Sequence, residues 1–243
     1  MTTITVIDSG SKRNGYIITS GEKSLILELG CKTLDYFNAC NGEMVGGVCS
    51  HRHSDHINPS TVDELMRRGV PVYVGEKVYE EIHEDFNTTA LRWLSTRQKR
   101  NIGGFTVQPF EVAHNVPNYG FLIETPTKER IVFVTDAIEC RYKFKDINCL
   151  MIECNHDDDT LLDNLDRHEV SMSHPENHLS LKDCIAFCKA NDNPSLKQVI
   201  LVHLSHTNIN EDFALKSVQD DVPNVRVAVA HSGDDFEIES DNF

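Results

Sequence analysis

The amino-acid sequence predicts an α/β fold in which β-sheets are layered against helices. Short apolar segments with strand-like composition recur along the whole chain, and stretches with helical periodicity lie between some of them. The first strands follow one another like hairpins, later strands alternate with helices, and the pattern is repeated across two halves. This order is typical of a layered α/β sandwich, whose strands deliver side chains from their ends into one shared groove.

The individual elements follow from local composition. Runs rich in Val, Ile, Leu and Phe predict strands over residues 4–8, 16–19, 25–29, 45–49, 72–74, 105–112, 119–124, 131–135, 150–153, 199–203 and 225–229. Helical spacing of apolar residues predicts helices over 33–41, 60–68, 77–83, 160–168 and 180–191. Ser60 and Asp63 predict a capping box for the second of these helices, and Gly69 is predicted to end it.

Length and composition predict one cytoplasmic domain over residues 1–243. The chain has 243 residues, 40% of them hydrophobic, which is enough for one substantial core. Its apolar runs are far shorter than the roughly 20 residues of a membrane span. The N-terminus has neither the basic region nor the apolar core of a signal peptide. Eight cysteines without a C-x-x-C pair indicate reduced thiols rather than a disulfide framework.

The formal charge of −15 bears on the substrate. A surface this acidic repels a polyanion unless a basic stripe lies on one face. The basic clusters available, residues 67–68 and 97–100, are short. Long nucleic acid is therefore a disfavoured substrate.

The turn His51-Arg52-His53-Ser54-Asp55-His56 is the strongest functional signal. Imidazole and carboxylate donors favour Zn²⁺, with Mn²⁺ or Fe as alternatives. His51 and His53 are two residues apart at a strand end and are predicted to project to one side. Asp55 and His56 are adjacent and diverge, so the turn fits two ions better than one. The alternative interpretation, a polar surface loop, does not explain the strand before the turn and the helix after it.

Three more polar residues stand at the ends of apolar strands. His114 follows 105–113, Asp136 follows 131–135, and His203 follows 199–202. Singly, each is most simply an end-of-strand residue with satisfied hydrogen bonds. Together with the histidine-rich turn, they predict that the strands bring metal ligands into one groove.

In this order the motifs resemble those of the metallo-β-lactamase fold superfamily. The resemblance implies an αββα sandwich of two mixed β-sheets with helices on the outer faces. It also implies that one metal ion is held by His51, His53 and His114, that a second is held by Asp55, His56 and His203, and that Asp136 bridges them. His206 competes with His203 for the last position, and His203 is preferred because it follows its strand directly.

Finer motifs resemble the WalJ/YycJ-like branch, which is related to tRNase Z and similar to phage anti-Pycsar phosphodiesterases. These motifs are residues 9–15, 153–157, 178–180 and 203–205. The chain departs from the branch at Asn177, where Gly is usual, and at Lys12-Arg13, where Lys-Gly is commoner. Neither departure touches a predicted metal ligand. The resemblance implies phosphodiester hydrolysis, and also a homodimer.

The expected mechanism uses two divalent ions that clamp a phosphate and lower the pKa of a bridging water to roughly 7. Asp55 is predicted to orient the nucleophile as well as to bind metal. His178 is predicted to supply a proton or a positive charge to the leaving group, with an ordinary loop histidine as the alternative. The predicted substrate contacts are Ser9, Ser11, Asn14, His178, Ser180 and Ser205, with a tight turn as the alternative role of the first three. Glu153 is predicted to support the metal ligands.

Three functions are compatible with these sequence features. The favoured one is hydrolysis of a small nucleotide phosphodiester, first a 3′,5′-cyclic mononucleotide, with a phage anti-defence role as one setting. A DNA or RNA nuclease is the nearest alternative, supported by the WalJ-like motifs and opposed by the charge. A binding protein without turnover is third and is opposed by the complete ligand set. β-Lactam, thioester and glyoxalase chemistry is less favoured, because the motifs at 153–156 and 178–180 have no evident use there.

Overall fold

The computed structural model describes residues 1–86, 90–167 and 177–239, and these form two seven-stranded sheets. In spatial order, the first sheet contains β14 (Asp235–Ile238), β1 (Thr2–Asp8), β2 (Gly15–Ser20), β3 (Lys23–Leu27), β4 (Glu43–Cys49), β5 (Val72–Gly75) and β6 (Leu91–Leu94). The second contains β13 (Arg226–Val229), β12 (Gln198–Val202), β11 (Cys149–Glu153), β10 (Arg130–Val134), β9 (Asn118–Glu124), β8 (Phe105–Val112) and β7 (Arg100–Ile102). Both sheets mix parallel and antiparallel pairs, as predicted.

The helices are α1 (Thr33–Ala39), α2 (Pro59–Arg67), α3 (Glu76–Ile82), α4 (Asp158–Asp166), α5 (Leu181–Asn191) and α6 (Glu211–Asp221), and a 3₁₀ turn covers His83–Asp85. α1, α2 and α3 contact strands of the first sheet, while α5 and α6 contact strands of the second. Helices therefore cover both sheets, which confirms the predicted sandwich architecture.

Two apolar cores follow from the two-residue period of the strands. In β10, Ile131 and Phe133 enter the core shared with the first sheet, while Val132 and Val134 enter the core under α5 and α6. β11 alternates in the same way. A sheet buried on both faces needs continuous apolar strands rather than alternating ones. This requirement explains why the sequence over β10, β11 and β12 is almost wholly apolar.

The topology gathers the ligand-bearing loops at one edge. β10, β11, β12 and β13 are parallel, and β8 runs in the same direction because both β8 and β10 are antiparallel to β9. The loops after β8, β10 and β12 therefore lie on one side of the second sheet. They carry His114, Asp136 and His203, which meet the turn that follows β4.

Several sequence predictions needed correction. β6, β7, β14 and α6 were not predicted, since the three strands are only three or four residues long and α6 has a largely polar sequence. The capping box at Ser60 is wrong: α2 begins at Pro59, and the Asn58 side chain caps it by accepting a hydrogen bond from the Ser60 N–H. The predicted end of the fourth helix at residue 168 lies outside the described residues.

Within the described ranges, no helix is long and apolar enough to cross a membrane.

Candidate metal centre

The turn after β4 is held against the loop that follows β3. The N–H groups of His56 and Ile57 both donate to the carbonyl of His53, which closes the turn. The Asp55 carbonyl accepts a hydrogen bond of 2.7 Å from the Asn14 N–H. A Cβ at Gly30 would lie 1.9 Å from that same carbonyl, so only glycine permits this approach. The local sequence thus fixes the direction in which the turn presents its side chains.

One group of donors consists of His51, His53 and His114, which we call the trihistidine set. The Nδ1 of His53 lies 3.1 Å from the Nε2 of His51 and 3.3 Å from the Nε2 of His114. Three imidazole nitrogens therefore converge on one point. The structure thus brings the three predicted residues together.

A second group consists of Asp55, His56 and His203, the Asp-His-His set. The Oδ2 of Asp55 lies 3.1 Å from the Nε2 of His56 and 3.4 Å from the Nε2 of His203. His203 is 1% exposed, and its side chain is part of the cluster, whereas His206 is exposed. The structure therefore places His203, and not His206, beside these ligands.

Asp136 lies between the two sets. Its Oδ2 is 2.8 Å from the Nε2 of His56 and 3.6 Å from the Nε2 of His203. It also forms a group with His51 and His56 in which the candidate ligand atoms all lie within 4.8 Å of one another. A single carboxylate thus reaches donors of both sets.

The backbone is in the left-handed region at Asp136 (φ 48°) and at His203 (φ 55°). Residues other than glycine rarely adopt this conformation, and it persists where surrounding contacts fix it. The Asn118 side chain donates to the carbonyls of Thr135 and Asp136, at 2.9 and 2.7 Å. The Asn155 side chain donates to the His203 carbonyl at 3.0 Å. These two amides stabilise the turns that direct the ligands into the groove.

Glu28 is a site residue that the sequence reasoning missed. Its fully buried carboxylate lies 3.2 Å from the Nδ1 of His56 and accepts a 3.1 Å hydrogen bond from the Ser50 N–H. The Ser50 hydroxyl in turn lies 2.9 Å from the Nδ1 of His51. The available signal was one acidic residue within the apolar run 25–29.

His178 stands against Asp136. Its Nδ1 is 3.1 Å from the Oδ1 of Asp136 and 2.8 Å from the Oε1 of Glu153. Glu153 has the supporting position that the sequence predicted, because its Oε2 also accepts hydrogen bonds from the N–H groups of Ala137 and Leu179. The His178 ring stacks on His203 with centroids 5.4 Å apart. His178, Asp136, Glu153 and His203 form a further group of potential ligands.

The trihistidine set is electrically neutral. Burial lowers the pKa of His51 well below its ordinary value and that of His114 to about 4. The pKa of His53 is also lowered, again chiefly by burial. A neutral imidazole keeps one nitrogen lone pair free to bind a cation, so this set can accept a metal ion near pH 7 without first losing protons.

In the Asp-His-His set and beside it, by contrast, the pKa values of His203 and His178 are raised. Burial lowers the pKa of His203, but the Asp136 charge and hydrogen bonds to Asp55 and Glu153 outweigh it and raise the pKa to about 9. For His178, burial is outweighed chiefly by Glu153 and Asp136, and the pKa rises to about 10. The pKa of Asp136 is held well below its usual range, since the neighbouring histidines outweigh burial. Metal binding here would release protons.

These observations fit a pair of divalent cations. The trihistidine set offers three converging neutral nitrogens, and the second set offers two more nitrogens with a carboxylate. Asp136 adds a carboxylate that both sets reach. Zinc and iron bind imidazole and carboxylate donors of this kind.

The predicted substrate contacts are mostly committed to internal hydrogen bonds. The Ser9 hydroxyl pairs with Tyr16 and accepts from the His203 N–H, and the Asn14 side chain bonds the Gly10 backbone. These contacts fit the tight-turn role that was the stated alternative, and a role of Ser9 or Asn14 in substrate binding stays a prediction. Ser11 is exposed on the same turn.

The two remaining predicted contacts have capping roles. The Ser180 hydroxyl accepts from the Asp183 N–H at 3.1 Å and caps α5. The Ser205 hydroxyl accepts from the N–H groups of Thr207 and Asn208. A role of either hydroxyl in substrate binding stays a prediction.

Comparison with known proteins supports the fold. A family model described as "Beta-lactamase superfamily domain" matches residues 45–204. The metallo-β-lactamase fold protein YhfI from Bacillus subtilis superposes with a TM-score of 0.73 at 20% identity, covering 98% of this chain and 100% of that one. A diphosphatase from the PhnP family gives a TM-score of 0.69 at 15% identity and 99% coverage of both chains.

The short form of human tRNase Z gives a TM-score of 0.64 at 14% identity, covering 98% of this chain and 99% of that one. At these identities the structural matches concern the fold alone. No curated protein matches the sequence significantly.

Proposed function

The chain belongs to the β-lactamase superfamily, and from this premise we propose that it is a binuclear metal-dependent phosphodiesterase. The observation that carries the proposal is the junction at Asp136. Its carboxylate reaches donors of the trihistidine and Asp-His-His sets on one side and His178 on the other. Two cation sites with a proton carrier beside them form one arrangement that catalyses displacement at a phosphodiester.

One ion would be held by His51, His53 and His114, and the other by Asp55, His56 and His203. Asp136 would bind both ions. We propose zinc, because five imidazoles outnumber the carboxylates, with manganese or iron as alternatives. When bound, two such ions lower the pKa of water toward 7 and neutralise charge on phosphate oxygens.

The protein's own groups would complete the reaction. The Asp55 side chain is 22% exposed, against 3% for Asp136, and would orient the attacking water. His178 is also partly exposed, at 20%, and Glu153 fixes its ring through Nδ1. A protonated imidazole in this position would supply the proton that the leaving alkoxide needs.

For the substrate we propose a small nucleotide, first a 3′,5′-cyclic mononucleotide. The net charge of −15 supports a compact substrate over a long polyanion. The names of two structural neighbours, a diphosphatase and tRNase Z, support phosphate ester chemistry more generally. The homodimer implied by the resemblance is part of the proposal, and analytical ultracentrifugation tests it.

A nuclease is the second candidate, and one observation favours it. Among the described residues, six exposed or half-buried lysines and arginines without an ion pair line two adjoining cavities at one end of the sandwich. The acidic charge is therefore unevenly distributed, and a nucleic acid could approach from this end.

The decisive experiment compares substrates on metal-reconstituted protein. Purified protein is incubated with Zn²⁺ or Mn²⁺ and then with cyclic mononucleotides or with labelled oligonucleotides, and the products are separated by chromatography. We expect linear mononucleotides from the cyclic substrates. Strong oligonucleotide cleavage with intact cyclic nucleotides would contradict the preferred substrate and support the nuclease. Loading well below two ions per chain, without turnover of any phosphodiester, would contradict both.

A further inference from the structure

The second strong feature of the molecule is a basic and aromatic surface that contains none of the candidate metal ligands. It comprises the exposed part of β6, the β6–β7 connection up to Arg100 on β7, Arg130 at the start of β10, and the segment 142–145 before β11. We call it the β6–β7 surface. Its cationic members are Arg92, Lys99, Arg100, Arg130, Lys143 and Lys145. They are six of only 23 lysines and arginines in a chain with 38 acidic residues, so their grouping is a local reversal of charge.

One part of this surface is a cavity of about 400 Å³ beside Trp93. Arg92, Lys99 and Arg100 line it, and the Trp93 side chain is 51% exposed on the edge strand β6. The Arg92 guanidinium lies over the Tyr73 ring and donates to its hydroxyl at 3.2 Å. A positioned guanidinium next to an exposed indole matches a phosphate and the base attached to it.

The other part is a cavity of about 590 Å³ around Tyr142, lined by Arg130, Lys143 and Lys145. Tyr142 is 44% exposed, and its ring is supported by Phe110 at a centroid distance of 4.9 Å. Ser95 lines the first cavity and Thr96 the second, so the two cavities adjoin at the β6–β7 connection.

Two acidic residues near this surface already have partners. Glu111 lines the second cavity and pairs with Lys77 at 2.7 Å, and Glu124 pairs with Lys128 at 2.9 Å. In the part of the chain that the structure describes, none of the six cations lies within 4 Å of a carboxylate. Lys99 and Arg130 act on the Glu124 carboxylate at longer range, but among the described residues none of the six is held in an ion pair that a ligand phosphate would have to break.

We propose that the β6–β7 surface binds a single-stranded nucleic acid. Trp93 and Tyr142 would stack bases, and the six cations would contact the phosphates between them. Alternating cations and exposed aromatic rings over two adjoining cavities are the features that single-strand binders use, and they select a polymer over one nucleotide. The proposal concerns binding and holds whichever phosphodiester the metal centre hydrolyses.

The single tryptophan of the chain makes the test direct, because Trp93 reports on its own stacking. Metal-free protein, which cannot turn over, is titrated with a 12-nucleotide oligothymidylate at low salt while tryptophan fluorescence is recorded. We expect saturable quenching. The affinity should fall with rising salt, with a slope in log K against log [salt] of about −2 to −4, corresponding to roughly three to six phosphates.

Variants separate stacking from charge. Trp93→Ala removes the reporter, so its affinity is measured by anisotropy of a labelled oligonucleotide, and we expect a loss of about tenfold. Arg92→Glu with Lys99→Glu should weaken binding further and flatten the salt slope. Lys216→Glu on α6, a helix that contacts the opposite edge strand β13, is the control and should bind normally.

Circular dichroism and metal content verify that each variant is folded. Unchanged affinity in the folded charge-reversal variant would overturn the proposal, as would equal affinity for thymidine monophosphate and the 12-mer. If the metal-reconstituted protein hydrolyses no phosphodiester but the metal-free protein binds the oligonucleotide as expected, the proposed function is contradicted and the proposed binding surface is supported. The basic residues of the edge strand could instead serve only to prevent strand pairing. In that case the charge-reversal variant would aggregate and the native protein would not bind the oligonucleotide, which would overturn the proposal.

Discussion

The Nδ1 atom of His56 lies 3.2 Å from the Oε2 atom of Glu28, and both side chains are fully buried. This contact fixes the ring so that Nε2 faces Asp55 and Asp136. The other oxygen of Glu28 accepts from the Ser50 N–H, and Ser50 contacts His51. One buried carboxylate thus supports ligands of both the trihistidine and the Asp-His-His sets.

The first prediction is that Glu28→Gln weakens metal binding. The amide keeps the shape of the side chain but removes the charge beside His56, and loss of such a partner commonly costs about 10- to 100-fold in metal affinity. Competition with a chromophoric chelator measures the affinity. Glu22→Gln, at an exposed position on the same hairpin, is the control. Equal affinities in the two variants would exclude Glu28 from the support of the ligands.

The second prediction is that His53→Ala or Asp136→Ala abolishes metal loading and activity together. His53 contributes the nitrogen on which the trihistidine contacts converge, and Asp136 is the carboxylate that both sets reach. Elemental analysis after reconstitution gives the loading, and phosphodiester turnover is measured on the same samples. His83→Ala, at an exposed histidine, should change neither. Full loading in the Asp136 variant would show that this carboxylate is not shared between ions.

The clustering of the candidate metal ligands could be predicted from the sequence because these residues occur at strand ends with distinctive spacing. The turn 51–56 and the positions of His114, Asp136 and His203 carry a local signal, and the apolar strands before them fix where they meet. Glu28 carries no such signal. Its contact with His56 forms only when β3 and the turn after β4 come together in the folded chain, and no local sequence pattern encodes that proximity.

The charge-based argument identified only the short cluster 97–100 of the β6–β7 surface, for a similar reason. Net charge is a sum over the chain, whereas binding depends on how charges are placed. Residues 92–100 and 130–145 are far apart in sequence and adjoin only because β6, at one edge of the first sheet, leads directly into β7 at the edge of the second. The strands β6 and β7 are too short to be recognised by periodicity.

The third prediction concerns His178→Ala. Its Nδ1 contacts Asp136 and Glu153 and is absent from the trihistidine and Asp-His-His sets, so we expect normal metal content with kcat lowered about 10²- to 10⁴-fold. A phosphodiester with a p-nitrophenolate leaving group needs no proton on the leaving oxygen, so kcat for this substrate should fall much less. Equal losses on both substrates would indicate a structural role, and loss of metal would make His178 a ligand.

The fourth prediction rests on a buried carboxylate far from the metal centre. Glu129 is 2% exposed and accepts hydrogen bonds from the hydroxyls of Thr2, Thr125 and Thr127. Thr2 lies on β1 of the first sheet, whereas Glu129 lies between β9 and β10 of the second, so the cluster joins the two sheets. Burial alone would raise the pKa of Glu129, but the threonine hydroxyls outweigh burial and hold it below its ordinary value.

Because the folded pKa of Glu129 lies below the unfolded value of about 4.3, its ionised form stabilises the native state above that value. This stabilisation is lost as the pH falls through the lower folded pKa. We expect Glu129→Gln to reduce the free energy of unfolding by about 1 to 3 kcal/mol at pH 7, and by less near pH 3. Urea titrations at both pH values, with the exposed Glu237→Gln as control, measure the difference. A deficit that stays constant down to pH 3 would show that Glu129 contributes packing rather than charge.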